Sequence, residues 1–149
     1  IVMVPNNHWG RRGAFDENKE LWGSWIVKGP VNRYWFGGDT AYADVFEQIG
    51  RKYGPFNLAA IPIGAYNPRW FMKWVHVNPE EAVRIHQDVK SLKSMGIHWG
   101  TFKLTYEPFM EPKEATHEAM IANKLDLNAF EVVNIGETVE GVSQEETTD

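Results

Sequence analysis

Seven residues, Tyr34-Trp35-Phe36-Gly37-Gly38-Asp39-Thr40, constrain this chain more than any others. The apolar run reads as a buried strand. Two glycines end it and a carboxylate follows, which puts Asp39 at the C-terminal lip of a strand. Open α/β sheets bind ligands at that lip, and glycine lets backbone or ligand come close. The plainer reading is a turn whose Asp caps a helix starting near Tyr42. What stands at the ends of the other strands decides between the two.

Taken in order, the pattern predicts a short strand over 1–4, broken by Pro5 and followed by His8 and Trp9 on a loop. Strands over 21–27 and 33–36 flank the turn Lys28-Gly29-Pro30 and form an antiparallel pair. Val45, Phe46 and Ile49 at helical spacing predict a helix over 43–52, stopped by Gly54-Pro55. Residues 58–63 suit a strand buried on both faces. A long irregular loop covers 64–74. Pro79 opens a second helix to about 94, with Glu80 and Glu81 at its positive end. A strand over 95–100 carries His98, a third helix runs over 112–123, and a last strand over 130–135. Strands alternating with helices give an α/β layered fold, with one domain over residues 1–135. Residues 136–149 are polar, acidic and expected to be disordered. The chain opens directly on an apolar strand with no Met at position 1, and is expected to be the C-terminal part of a longer or divided protein.

With 43% hydrophobic residues in 149, a packed core is attainable. The net charge of −5 argues against a nucleic-acid partner held through its phosphates. No apolar run reaches the roughly 20 residues of a membrane-spanning helix. The chain has no Cys, so disulfides and thiolate metal sites are excluded. Its seven Trp residues belong by default in the core, with a pocket or a membrane-facing surface as the alternatives.

His8, Asp39 and His98 each fall just past a predicted strand. Imidazole and carboxylate are the ligand types for zinc and similar metals where thiolates are missing. The three are widely separated in sequence, so each could equally be an ordinary hydrogen-bonded residue. His76 lies on the long loop with Arg69 and Tyr66; His and Arg there could bind a phosphate, or cap a helix and pair with Glu80. His86 and His117, on helices, read as structural or solvent-exposed.

Five ordered blocks carry a resemblance: His8-Trp9; Phe36-x-Gly38-Asp39-Thr40; Phe56-x-Leu58-Ala59-Ala60-Ile61-Pro62-Ile63-Gly64-Ala65-Tyr66-x-Pro68-Arg69-Trp70-Phe71-Met72; Pro79-Glu80-Glu81-Ala82; and Ile97-His98-Trp99-Gly100-Thr101-Phe102. Over residues 1–135 the chain resembles the C-terminal half of the N-acyl-phosphatidylethanolamine-hydrolysing phospholipases D, zinc hydrolases of the metallo-β-lactamase fold. The resemblance implies half of an αββα sandwich and a site of two zinc ions. It implies His8 on one zinc, His98 on the other and Asp39 bridging both as the catalytic carboxylate. His76, Arg69 and Tyr66 are the candidates for binding substrate. The family's remaining ligands come from a His-x-His-x-Asp-His motif that these 149 residues do not contain.

The implied activity is hydrolysis of an N-acyl-phosphatidylethanolamine to an N-acylethanolamine and phosphatidic acid, once an N-terminal half or partner chain completes the site. A homodimer, intracellular and peripheral on membranes, is implied with it. The alternatives are a hydrolase of the same fold acting on a soluble ester or lactone, and a non-catalytic subunit of a larger assembly.

Overall fold

A computed structural model describes residues 1–143. One six-stranded mixed sheet runs in sequence order: β1 (Val2–Val4), β2 (Ser24–Lys28), β3 (Arg33–Phe36), β4 (Leu58–Pro62), β5 (Ser94–Ile97) and β6 (Phe130–Glu131). The first three strands are antiparallel and β3 to β6 are parallel. The C-terminal ends of β1, β3, β4 and β5 therefore share one end of the sheet. Among the described residues, four α-helices complete the fold: α1 (Val45–Tyr53), α2 (Arg69–Met72), α3 (Pro79–Asp88) and α4 (Glu111–Ala122).

The core lies between the sheet and the helices. Val4, Ile26, Trp35, Ala59, Ile61 and Phe130 meet Phe46 and Ile49 of α1, Ala82, Val83 and Ile85 of α3, and Ala119 and Met120 of α4. Trp35 is fully buried, and its indole N–H donates to Ser24 Oγ at 3.1 Å, so the ring is packed without an orphaned donor. At Gly50 a Cβ would stand 2.0 Å from the carbonyl oxygen of Asp88, so only glycine lets α1 come this close to α3.

The opposite face of the sheet is open. Met3, Trp25 and Phe36 stand side by side in register. They are 41%, 44% and 40% exposed. This is a two-layer unit, one sheet with helices on one face. It matches one half of a four-layer sandwich.

The succession of strands and helices follows the sequence expectations, with these corrections: β2 begins at Ser24 rather than at Leu21, and the following elements differ as well. α3 stops at Asp88 rather than near 94. Lys90 takes a left-handed backbone (φ 58°), while Ser91 N–H donates to His86 O and Lys90 N–H to Gln87 O. That pattern normally uses glycine, so its lysine form left no mark in the sequence. β5 ends at Ile97, which frees His98 from the ladder. β6 is two residues long, because only Ser94 and Met95 of β5 pair with it. The loop over 64–74 contains the short helix α2. In the tail, Val142 N–H donates to Asn57 O, and Asn57 Nδ2 donates to Val142 O at 2.6 Å. Residues 136–143 thus return to the start of β4; 144–149 lie outside the described residues.

His86 is structural, as expected, and buried. Its Nδ1 lies 2.8 Å from Ser94 Oγ, and its ring lies against Phe130. Burial lowers its pKa to about 4. An unfolded chain takes up a proton at this ring below about pH 6.5, which the native state resists until about pH 4. His86 therefore costs no stability above pH 6.5 and removes roughly 3 kcal/mol as the pH falls to 4. Denaturant melts at pH 7 and 4.5 should show a smaller acid loss in His86→Gln. Equal losses in both proteins would contradict this assignment.

Candidate metal centre

Loops from four strands converge at the C-terminal end of the sheet. Thr40 joins three of them. Its Oγ1 accepts the Asn7 N–H at 2.9 Å, and its carbonyl accepts the Val77 N–H at 2.8 Å. Ala41 N–H donates back to Asn7 O at 2.7 Å. The loop bearing His8 and the segment bearing His76 are thereby both tied to the loop bearing Asp39. Asn6 adds a second tie, donating from Nδ2 to the carbonyls of Gly37 and Asp39. His98 arrives from β5 in a left-handed turn (φ 59°), a conformation in which His is among the better tolerated side chains. Gly64 makes room for that turn, since a Cβ there would lie 2.3 Å from His98 O.

The resulting geometry is compact. Asp39 Oδ2 lies 3.8 Å from His8 Nε2 and 3.4 Å from His98 Nε2. His8, Asp39 and His76 each present a ligand atom within 4.8 Å of the others. The His76 ring stacks on His98 at 5.1 Å and meets His8 edge-on at 5.3 Å. Burial pushes His76 down to about 4 and lowers His8 against the opposing pull of Asp39. Both rings are therefore neutral at pH 7 and keep a lone pair for a cation.

A metal fits this donor set. The Nδ1 atoms of His8, His76 and His98 are buried without a hydrogen-bond partner. Orphaned buried polar atoms are uncommon and mark an absent partner. Three imidazoles and one carboxylate, with no thiolate, suit zinc and its borderline neighbours.

His8, Asp39 and His98 come together as the sequence expected. His76 is the addition: read from the sequence as a candidate to bind a phosphate or to cap a helix, it stands among the metal-type donors. Its placement depends on the Val77–Thr40 hydrogen bond across 37 positions, which no local spacing discloses. Arg69 and Tyr66 have other employment. Arg69 donates from Nη1 to His76 O at 2.7 Å and from Nη2 to Glu81 Oε2 at 2.8 Å, so it fixes the His76 backbone. Tyr66 is buried and donates its hydroxyl to Glu111 at 2.7 Å. Glu107 carried no sequence signal. Its buried carboxylate accepts the backbone N–H groups of Ala65, Tyr66 and Asn67 and the Thr105 hydroxyl. Burial alone would raise its pKa, but the hydrogen bonds from Thr105 and the backbone outweigh it and hold the carboxyl below the usual range.

The beta-lactamase superfamily domain model matches residues 1–99 of this chain. The chain belongs to the beta-lactamase superfamily. It is 49% identical over 140 residues to N-acyl-phosphatidylethanolamine-hydrolyzing phospholipase D 1 of Caenorhabditis elegans, covering 92% of this chain and 39% of that protein. The mitochondrial N-acyl-phosphatidylethanolamine-hydrolyzing phospholipase D of Saccharomyces cerevisiae is 41% identical over 117 residues, covering 76% of this chain and 25% of that protein. The chain thus spans less than half the length of either relative. Among solved structures, a metallo hydrolase from the hyperthermophilic archaeon Ignicoccus hospitalis superposes with a TM-score of 0.62 at 22% identity. It covers 92% of this chain and 50% of that one, and shares the fold.

Thr40→Val tests the assembly of the centre. The substitution leaves the Asn7 N–H without its partner, at a cost of about 1–3 kcal/mol. Losing a group that orients ligands should also weaken metal binding by about tenfold or more. Metal titration of the full-length protein reads this out, and unchanged affinity would remove Thr40 from its role.

Proposed function

We propose that the full-length protein is a zinc-dependent phosphodiesterase that hydrolyses N-acyl-phosphatidylethanolamine to an N-acylethanolamine and phosphatidic acid. One observation carries the reading. The donor cluster of His8, Asp39, His76 and His98 lies in a chain 49% identical to a protein of that name. In this reading His8, Asp39 and His98 hold metal, and His76 joins them. A metal held by these residues would supply Lewis-acid polarisation of the phosphodiester and a water-derived nucleophile near neutral pH. Asp39 brings the one negative charge among the four donors, and burial keeps His8 and His76 neutral. Arg69 and Glu107 act on the backbone, fixing the segments that carry His76 and the turn beside His98.

The donors missing here belong to the remainder of the polypeptide, which in this reading packs on the open sheet face bearing Trp25 and Phe36. A homodimer resting on an intracellular membrane belongs to the same proposal. The convergence of four metal-type donors weighs against a non-catalytic subunit.

The purified full-length protein should contain zinc and release N-acylethanolamine from N-acyl-phosphatidylethanolamine, and a chelator should remove both. Hydrolysis of a lactone or soluble ester with no release from the lipid would transfer the protein to the alternative substrate class. Absence of bound metal would overturn the reading altogether.

A further inference from the structure

We propose that Glu81, on the first turn of α3, is a positioning residue for the metal centre and acts on His76 through Arg69. Its purpose rests on the metal-centre reading above. His76 lies on the link between α2 and α3, where neither a helix nor a ladder fixes the backbone. Contacts from outside do so instead. His76 N–H donates to Met72 O at 2.8 Å and Val77 N–H donates to Thr40 O at 2.8 Å. His76 O accepts from Arg69 Nη1 at 2.7 Å. That carbonyl and the Val77 N–H belong to one planar peptide unit, so Arg69 and Thr40 grip its two ends. Thr40 grips with backbone that Asn7 already ties down. Arg69 grips with the tip of a long side chain, which is as steady as whatever anchors the guanidinium.

Glu81 is that anchor. Its Oε2 accepts from Arg69 Nη2 at 2.8 Å and from the Asn78 N–H at 3.2 Å. Glu81 N–H donates back to Asn78 Oδ1 at 2.9 Å, so the carboxylate is fixed on its own helix before it meets Arg69. The planar fork of arginine lets one guanidinium bond Glu81 and the His76 carbonyl at once, which a lysine ammonium does not reproduce. The place also demands an anion, because the N-terminal end of α3 carries partial positive charge and repels a guanidinium. Glu80 and Glu118 are exposed and line the groove beside Arg69, so a released guanidinium has other carboxylates to turn to. The side chains of Arg69 and Glu81 are 28% and 33% exposed. An ion pair this open adds little to stability. Its effect falls on where the His76 peptide stands.

Metal titration and amide hydrogen exchange of the full-length protein test the assignment. Glu81→Gln keeps the side-chain length and an oxygen for the Asn78 N–H, and removes the charge that anchors Arg69. It should weaken metal binding by about tenfold, and in the chelated protein it should speed exchange of the Val77 amide by about tenfold. Glu80→Gln removes the same charge one position away and should change neither. Melting midpoints of both variants should stay near the wild type's. Arg69→Lys should weaken binding as Glu81→Gln does, and the double variant should be no weaker than either single one, because both break one link. Wild-type affinity and wild-type Val77 exchange in Glu81→Gln would overturn the proposal, and so would additive losses in the double variant. A loss that Glu80→Gln shares would assign the effect to net charge. A loss that comes with a lowered midpoint and is reproduced by Asn78→Ala would reduce Glu81 to a helix cap. A wild-type protein that binds no metal would refute the metal-centre reading, while Val77 exchange would still decide whether Glu81 steadies the His76 peptide.

Discussion

Asp39→Asn in the full-length protein should lower phosphodiester turnover by about a thousandfold or more with the fold retained. The side chain is 40% exposed, and its Oδ2 lies within 4 Å of two imidazole nitrogens. The amide keeps the shape and loses the charge. A metal centre contributes several kcal/mol of transition-state stabilisation, and about 4 kcal/mol corresponds to a thousandfold in rate. Metal analysis should show reduced occupancy. His117→Ala, on the exposed side of α4, is the matched control and should retain metal; His86 is unsuited to that purpose because it is buried. Full occupancy with normal turnover in Asp39→Asn would reduce Gly37-Gly38-Asp39-Thr40 to a structural turn.

A second large effect is expected on the open face of the sheet. Trp25→Glu should destabilise the full-length protein by about 3–5 kcal/mol, combining the loss of a large aromatic with the burial of a charge. The reason is the row Met3, Trp25, Phe36, which stands in register on a face that the helices do not cover. Trp25 is 44% exposed on this face. Surface substitutions of that kind usually move stability by no more than about 0.5 kcal/mol. The two figures differ enough for a single denaturation curve to decide. A shift within the surface range would mean that nothing packs on this face, and the completed sandwich would be refuted.

The sequence by itself determined the succession of strands and helices, the ends of the helices that rely on ordinary signals, and the strand-end positions of His8, Asp39 and His98. Pro79 with Glu80 and Glu81 marks the start of α3, where the Asn78–Glu81 capping box is found. Gly54-Pro55 marks the end of α1. These signals are local: a residue type with a conformational preference acts on its own turn. The placement of His8, Asp39 and His98 was legible for a related reason, since a residue just past a strand is a local pattern and the shared direction of β1, β3 and β5 aligns those ends.

The tertiary structure alone decided the rest. His76 enters the centre because Val77 bonds to Thr40 and Arg69 holds the His76 carbonyl. Arg69 is thereby committed to backbone and to Glu81 rather than to an anion. Glu107 is placed by three backbone N–H groups about forty residues away. α3 ends on a left-handed lysine whose cost the surrounding contacts must offset. Each of these depends on a hydrogen bond or packing contact between distant segments. Sequence periodicity reports only which way a side chain faces along its own element, and contains no term for the loop that will stand opposite.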